Sequence, residues 1–164
     1  MRALSLIPKN NLLSILIILV VFFLDRVSKN LIINDQLNNN ILYINEFINL
    51  DLIWNTGIGF GLFSHNSSLI YNSITALICG VIVFLFYFIF NAKDLDKILF
   101  SFILGGALGN FYDRLIYFAV PDFIDVHYNN FHWFTFNIAD IFITLGVIIL
   151  ISKDIIFKKK NDKN

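Results

Sequence analysis

Apolar residues along this chain gather into four long runs separated by more polar segments. A membrane helix needs about 20 mostly apolar residues to cross the hydrocarbon. The clearest run, Leu69 to Phe90, carries no charge at all. A second runs from Ile98 to about Val120 and contains Asn110, Asp113 and Arg114. The first, Leu12 to Leu24, is too short alone; it reaches spanning length only if Asp25, Arg26 and Lys29 lie inside and it ends near Ile33. The fourth starts near Ile138 and ends near Phe157, with Ser152 to Asp154 close to its far end. The pattern predicts one mainly α, integral membrane domain over residues 1–164. Its four transmembrane helices would span about 11–33, 69–90, 98–120 and 138–157.

The segments at about 34–68 and 121–137 differ in texture. Ile41-Leu42-Tyr43-Ile44 and Phe47 to Leu52 are β-branched and aromatic stretches punctuated by Asn, which suit short strands. Tyr128, Phe131, Trp133, Phe134 and Phe136 stand among His and Asn beside the fourth run, as expected of an interfacial aromatic belt. No internal repeat is visible.

Composition agrees with the bilayer. Residues are 57% hydrophobic and 16% aromatic, with 19 Phe, more apolar surface than a soluble body of 164 residues can hide. The single cysteine, Cys79, lies in an apolar run and excludes an intrachain disulfide or a multi-cysteine metal site. Arg2, Lys9 and the first apolar run resemble the start of a signal peptide. However, Asp25-Arg26 follows where a small-residue cleavage site would stand, so the run reads as retained.

Lysine and arginine set the orientation. Arg2 and Lys9 precede the first span, Lys93 and Lys97 lie between the second and third, and five more fall towards the C-terminus; the two long loops have none. The positive-inside rule then puts both termini in the cytoplasm and both long loops outside.

Charges inside spans cost about 2.5–3.5 kcal/mol each on insertion scales, so they are paired or functional. Asp25 and Lys29 are four apart and share a helix face, either as a structural ion pair with Lys29 snorkelling outward or as substrate contacts. Gly105 and Gly109, also four apart, allow a close helix approach. Asn110, Asp113 and Arg114 follow at helical spacing and read as one inward polar cluster that holds the site together. Asn55-Thr56-Gly57-Ile58-Gly59-Phe60-Gly61 lacks the strand–helix context of a nucleotide loop and reads as a tight turn entering the second span.

Asp122 and Asp140 stand apart from these. Asp140 with Asn137 has the spacing of a helix cap, and Asp122, like Asp125, has a bland reading as a solvated loop carboxylate. Yet the short loop between the last two spans returns the chain to the face it left, so both carboxylates lie at similar depth. Two carboxyls close together in a partly dry site hold a single proton, giving a base to activate water and an acid to protonate a leaving amine. His65, His127 and His132 show no metal-ligand spacing, and no Ser stands beside a His and an acid. A proton-coupled transporter would also carry buried acids, but would favour an inverted repeat or acids near mid-membrane. A non-catalytic scaffold would need neither aspartate.

Five segments in order carry a resemblance: Asp25-Arg26-Val27-Ser28-Lys29, Asn55-Thr56-Gly57, Gly105 to Asn110 with Asp113-Arg114, Val120-Pro121-Asp122-Phe123-Ile124, and Phe136-Asn137-Ile138-Ala139-Asp140. Together they resemble the bacterial lipoprotein signal peptidases, the signal peptidase II family of membrane aspartic proteases. The resemblance implies removal of the signal peptide from diacylglyceryl-modified prolipoproteins, with cleavage before the lipidated cysteine. It implies a catalytic pair, Asp122 and Asp140. Asn55, Gly57, Asn110, Asp113, Arg114, Asn137, Ala139, Asp25 and Lys29 would line or support the site. It implies no metal or organic cofactor, no nucleic-acid partner, and a monomer in the bacterial inner membrane with its site at the extracytoplasmic face. The first outer loop would form a small β-cradle and the third a short periplasmic helix or loop. Pro121 departs from the pattern, standing where an aliphatic residue is expected; it would stiffen the approach to Asp122.

Overall fold

A computed structural model describes residues 9–35, 41–57, 67–92, 94–129 and 131–161. Among them are four helices, α1 (Lys9–Asp35), α2 (Ser67–Asn91), α3 (Asp94–Tyr117) and α4 (Ile138–Asn161). Four strands accompany them: β1 (Leu42–Asn45), β2 (Ile48–Asn55), β3 (Val120–Tyr128) and β4 (Phe131–Phe136). The glycine-rich turn beyond Gly57 and His65 lie outside the described residues.

Two helical stretches, Asn11–Asp35 and Leu69–Asn91, are long and apolar enough to cross a membrane. Large apolar side chains point outward along them, among them Leu16, Phe23, Leu77, Phe84 and Phe90. An apolar exterior of this extent marks a surface that meets lipid or another protein. The interior cluster lies between α2 and α3, where Leu104 is fully buried against Ile82, Leu85, Ile89, Ile103 and Ala107.

Helix α3 is the centre of the bundle because its small residues admit its neighbours. A Cβ on Gly105 would stand 2.8 Å from Val21 Cβ and 3.0 Å from the Ile18 carbonyl oxygen, so α1 crosses here at a distance only glycine permits. Gly109 repeats this one turn on, against Asp25. The pair therefore serves packing within the chain.

The strands form one antiparallel sheet in the order β1-β2-β3-β4. The first outer loop supplies the expected strands β1 and β2. The loop between the last two helices differs from expectation: Val120–Tyr128 and Phe131–Phe136 pair as a hairpin, and no periplasmic helix is present among the described residues. Its β-branched and aromatic residues alternate around Tyr128-Asn129, where Asn129 takes a φ of 52°, the left-handed turn conformation that Asn tolerates. Helix α3 also ends earlier than expected, at Tyr117; Phe118 takes a φ of 55° and turns the chain into β3.

Both ends of the bundle are pinned by polar pairs. At one end Lys97 donates to Asn11 at 2.5 Å and Lys153 pairs with Asp96. At the other, α1 and α3 meet β3 of the sheet.

Candidate active site

Asp122 is the third residue of β3, a strand paired with β2 on one side and β4 on the other. Asp140 lies in the first turn of α4. Asn137, between β4 and α4, joins them. Its side-chain amide donates to Asp122 Oδ1 at 2.6 Å, its backbone N–H donates to Asp140 Oδ2 at 3.1 Å, and its Oδ1 accepts the Asp140 N–H at 3.0 Å. The last two bonds form a reciprocal helix cap. The cap expected for Asp140 and its place beside Asp122 are therefore one arrangement.

The remaining carboxylate oxygens are also held. Asn55 donates its side-chain N–H to Asp122 Oδ2 at 2.8 Å, and Asn110 donates to Asp140 Oδ1 at 2.8 Å. Asn55 is itself fixed by accepting the Gly57 N–H at 2.7 Å.

Asp122 is 3% exposed, so it is not the solvated loop carboxylate of the bland reading. Burial pushes its carboxyl up from 3.8 to about 6; the Asn55 hydrogen bond opposes this, the Asp140 charge adds to it, and Asn137 and Lys29 oppose it. Asn137 and the Asp140 charge thus put a second carboxyl within electrostatic reach of this one.

Beneath the pair lies a second tier. Lys29 is fully buried and does not snorkel, because its ammonium has three partners inside the bundle: Asp25 at 2.8 Å, Asn110 at 2.8 Å and Asp113 at 2.7 Å. Arg26 lies 2.6 Å from the other Asp113 oxygen, over the face of Tyr112. Two cations thus offset two buried carboxylates. Asp25 Oδ1 accepts the Ala139 N–H at 3.0 Å, placing a carboxylate on the positive end of α4. Asn110 touches both tiers, bonding Lys29 and Asp140.

Arg114 departs from the expected single cluster. It lies one residue round the helix from Asp113, over the Tyr71 ring at 5.7 Å, while Tyr71 donates to the Arg114 carbonyl. A Cβ on Gly57, whose φ is 78°, would stand 3.2 Å from both terminal nitrogens of Arg114. Arg114 therefore backs the Asn55–Gly57 turn from beneath and does not join the Lys29 tier. Arg26 is the participant that sequence reasoning left out of the site; its position four residues before no acid hid a partner 87 positions away.

Pro121 fits its place. It pairs with Trp54 of β2, whereas β4 begins its pairing only at Ile124, leaving one side of Pro121 without a strand. Asp140 also borders a groove of about 330 Å³ whose other walls are Phe134, Phe136, Ile141, Thr144 and Leu145. A long apolar segment lying there would pass beside Asp140.

Comparison with known proteins identifies relatives along most of the chain. The family model described as Signal peptidase (SPase) II matches residues 17–156. The lipoprotein signal peptidase of Pelagibacter ubique (strain HTCC1062) is 51% identical over 160 residues, covering 95% of this chain and 96% of that one. The lipoprotein signal peptidase of Anaplasma marginale (strain Florida) is 37% identical, covering 93% and 89%. A solved bacterial membrane enzyme, determined by the in meso method, superposes with a TM-score of 0.71 at 32% identity, covering 92% of this chain and 91% of its own. The chain belongs to the signal peptidase II family and is an aspartic endopeptidase of the membrane.

Proposed function

We propose that this peptidase removes the signal peptide from diacylglyceryl-modified prolipoproteins, cutting before the lipidated cysteine, with Asp122 and Asp140 as the catalytic pair. The observation that carries the reading is the shared support of both carboxyls by Asn137.

Asp140 sits in the first turn of α4, where the positive helix end favours a carboxylate. Asp122, pushed up to about 6, carries the proton in the reactive form of the enzyme. Asp140 takes a proton from water as its oxygen attacks the scissile carbonyl carbon. Asp122 gives its proton to the amide nitrogen as the C–N bond breaks. Acid and amine leave, and the pair ends with one proton, as it began, on the other member. Asn55, Asn110 and Asn137 hold the oxygens in place throughout, so orientation is set before substrate arrives. Asp25, Lys29 and Asp113 anchor that frame.

The groove beside Asp140 supports an apolar substrate entering from the bilayer. The proposed frame is four spans at about 11–33, 69–90, 98–120 and 138–157, both termini cytoplasmic and the sheet outside. It is supported by the cation-free loops at the sheet end, and by Lys97 and Lys153 at the other.

The test is cleavage of a synthetic prolipoprotein peptide, with and without the diacylglyceryl group, read by mass spectrometry. The expected product begins at the lipidated cysteine, and the unlipidated peptide is a poor substrate. Equal cleavage of both, or a cut elsewhere, contradicts the substrate assignment.

A further inference from the structure

The β3–β4 hairpin gathers three metal-capable side chains away from the aspartate pair. Asp125 and His127 are two apart on β3 and so share one face of the strand. His132 is the cross-strand partner of His127 on β4. One donor atom from each of the three lies within 4.8 Å of the others. The His127 and His132 rings stack 5.3 Å apart, and Asp125 Oδ2 lies 2.7 Å from His132 Nδ1 and 3.4 Å from His127 Nδ1.

Burial is what separates this group from a chance surface cluster. Asp125 is 3% exposed and His127 6%. His127 Nδ1 is buried and has no hydrogen-bond partner among the described residues. A buried ring nitrogen left in this way is uncommon, and an ion held between it and Asp125 accounts for it. Two donors about 2.0–2.1 Å from one zinc ion at the tetrahedral angle lie roughly 3.3 Å apart. The 3.4 Å separation of His127 Nδ1 and Asp125 Oδ2 already matches this, and the shorter His132 contact needs to open by only a fraction of an ångström. His132 is the exposed member, so its ring is the one free to adjust and leaves an open side for water.

We propose that Asp125, His127 and His132 form a binding site for a divalent metal ion of the zinc class. Two imidazoles and one carboxylate suit such an ion, with water completing its shell. The ion would clip β4 to β3, the strand that carries Asp122 three residues upstream. It takes no part in the hydrolytic step, and the proposal stands whether or not the substrate assignment holds.

The experiment uses the untagged full-length protein in detergent micelles, stripped of metal, and titrated with zinc chloride or cobalt(II) chloride. Bound metal is read by equilibrium dialysis, and cobalt coordination by its visible absorption. The expected result is one ion per chain, with a rise in Tm on adding zinc. His132→Asn should lose at least about tenfold in affinity, since even groups one shell beyond a metal commonly contribute that much. His132 is largely exposed, so this variant keeps its fold; Asp122→Asn serves as a control that retains binding. Absence of saturable binding, or binding unchanged in both His132→Asn and His127→Asn, would overturn the proposal.

Discussion

Asn137 donates its side-chain N–H to Asp122 at 2.6 Å from the N-cap of the helix whose first turn carries Asp140. One residue thus fixes a strand carboxyl and a helix carboxyl relative to each other. Asn137→Ala should lower kcat on the order of 100-fold, the usual effect of a small misplacement of reacting groups. It should also cost about 1 kcal/mol of stability through the lost cap. Steady-state kinetics and thermal unfolding in detergent measure the two. Near-normal kcat would show that the bridge is not needed for alignment.

The raised pKa of Asp122 makes stability depend on pH in a definite direction. Its folded value of about 6 exceeds its ordinary 3.8, so folding favours the protonated form. That contribution is full below about pH 4 and is lost as pH rises through about 6, amounting to roughly 3 kcal/mol over the window. Asp122→Asn should remove this slope, so the difference in stability between variant and parent grows from pH 4 to pH 7. With Asp122 as proton donor, kcat/KM of the parent should fall as pH rises through about 6. A pH-independent rate across this range would contradict the coupled pair.

Lys29 has two buried carboxylates as partners, Asp25 and Asp113. Lys29→Met should therefore cost about 3–5 kcal/mol, because it leaves buried charge uncompensated. Adding Asp113→Asn should recover part of that loss. Thermal unfolding of the single and double variants checks the sign: a double variant weaker than the sum of its singles would contradict an ion-pair frame.

Glycine on α3 is required by contact, whereas Gly80 on α2 has open space around it. Gly105→Ala should destabilise by about 1–3 kcal/mol through overpacking against α1. Gly80→Ala should be neutral or stabilising by up to about 1 kcal/mol. Equal effects in a thermal unfolding assay would count against the close α1–α3 crossing.

Much of this was legible in the sequence, and the remainder had physical reasons to be hidden. Apolar runs located the four helices, the first only with Asp25, Arg26 and Lys29 inside it, and β-branched and aromatic stretches punctuated by Asn located β1 and β2. The β3–β4 hairpin was obscured because its aromatic residues also fit an interfacial belt, although Asn129 stood at the turn. Motif order grouped Asp122, Asn137 and Asp140, and the hydrogen bonds of Asn137 join the other two. The burial of Lys29 could not be read, since snorkelling and internal pairing share the same i, i+4 spacing with Asp25. The partnership of Arg26 with Asp113, like that of His132 with Asp125, depends on register between elements, which spacing along one chain does not reveal.

The central claim is that the two aspartates share the catalysis. The most direct measurement is cleavage of a diacylglyceryl-modified prolipoprotein by the purified parent beside Asp122→Asn and Asp140→Asn, each shown to be folded by thermal unfolding. The parent is expected to cut before the lipidated cysteine, with both variants reduced by several orders of magnitude. A folded variant that still cuts at near the parent rate would contradict the assignment of the pair.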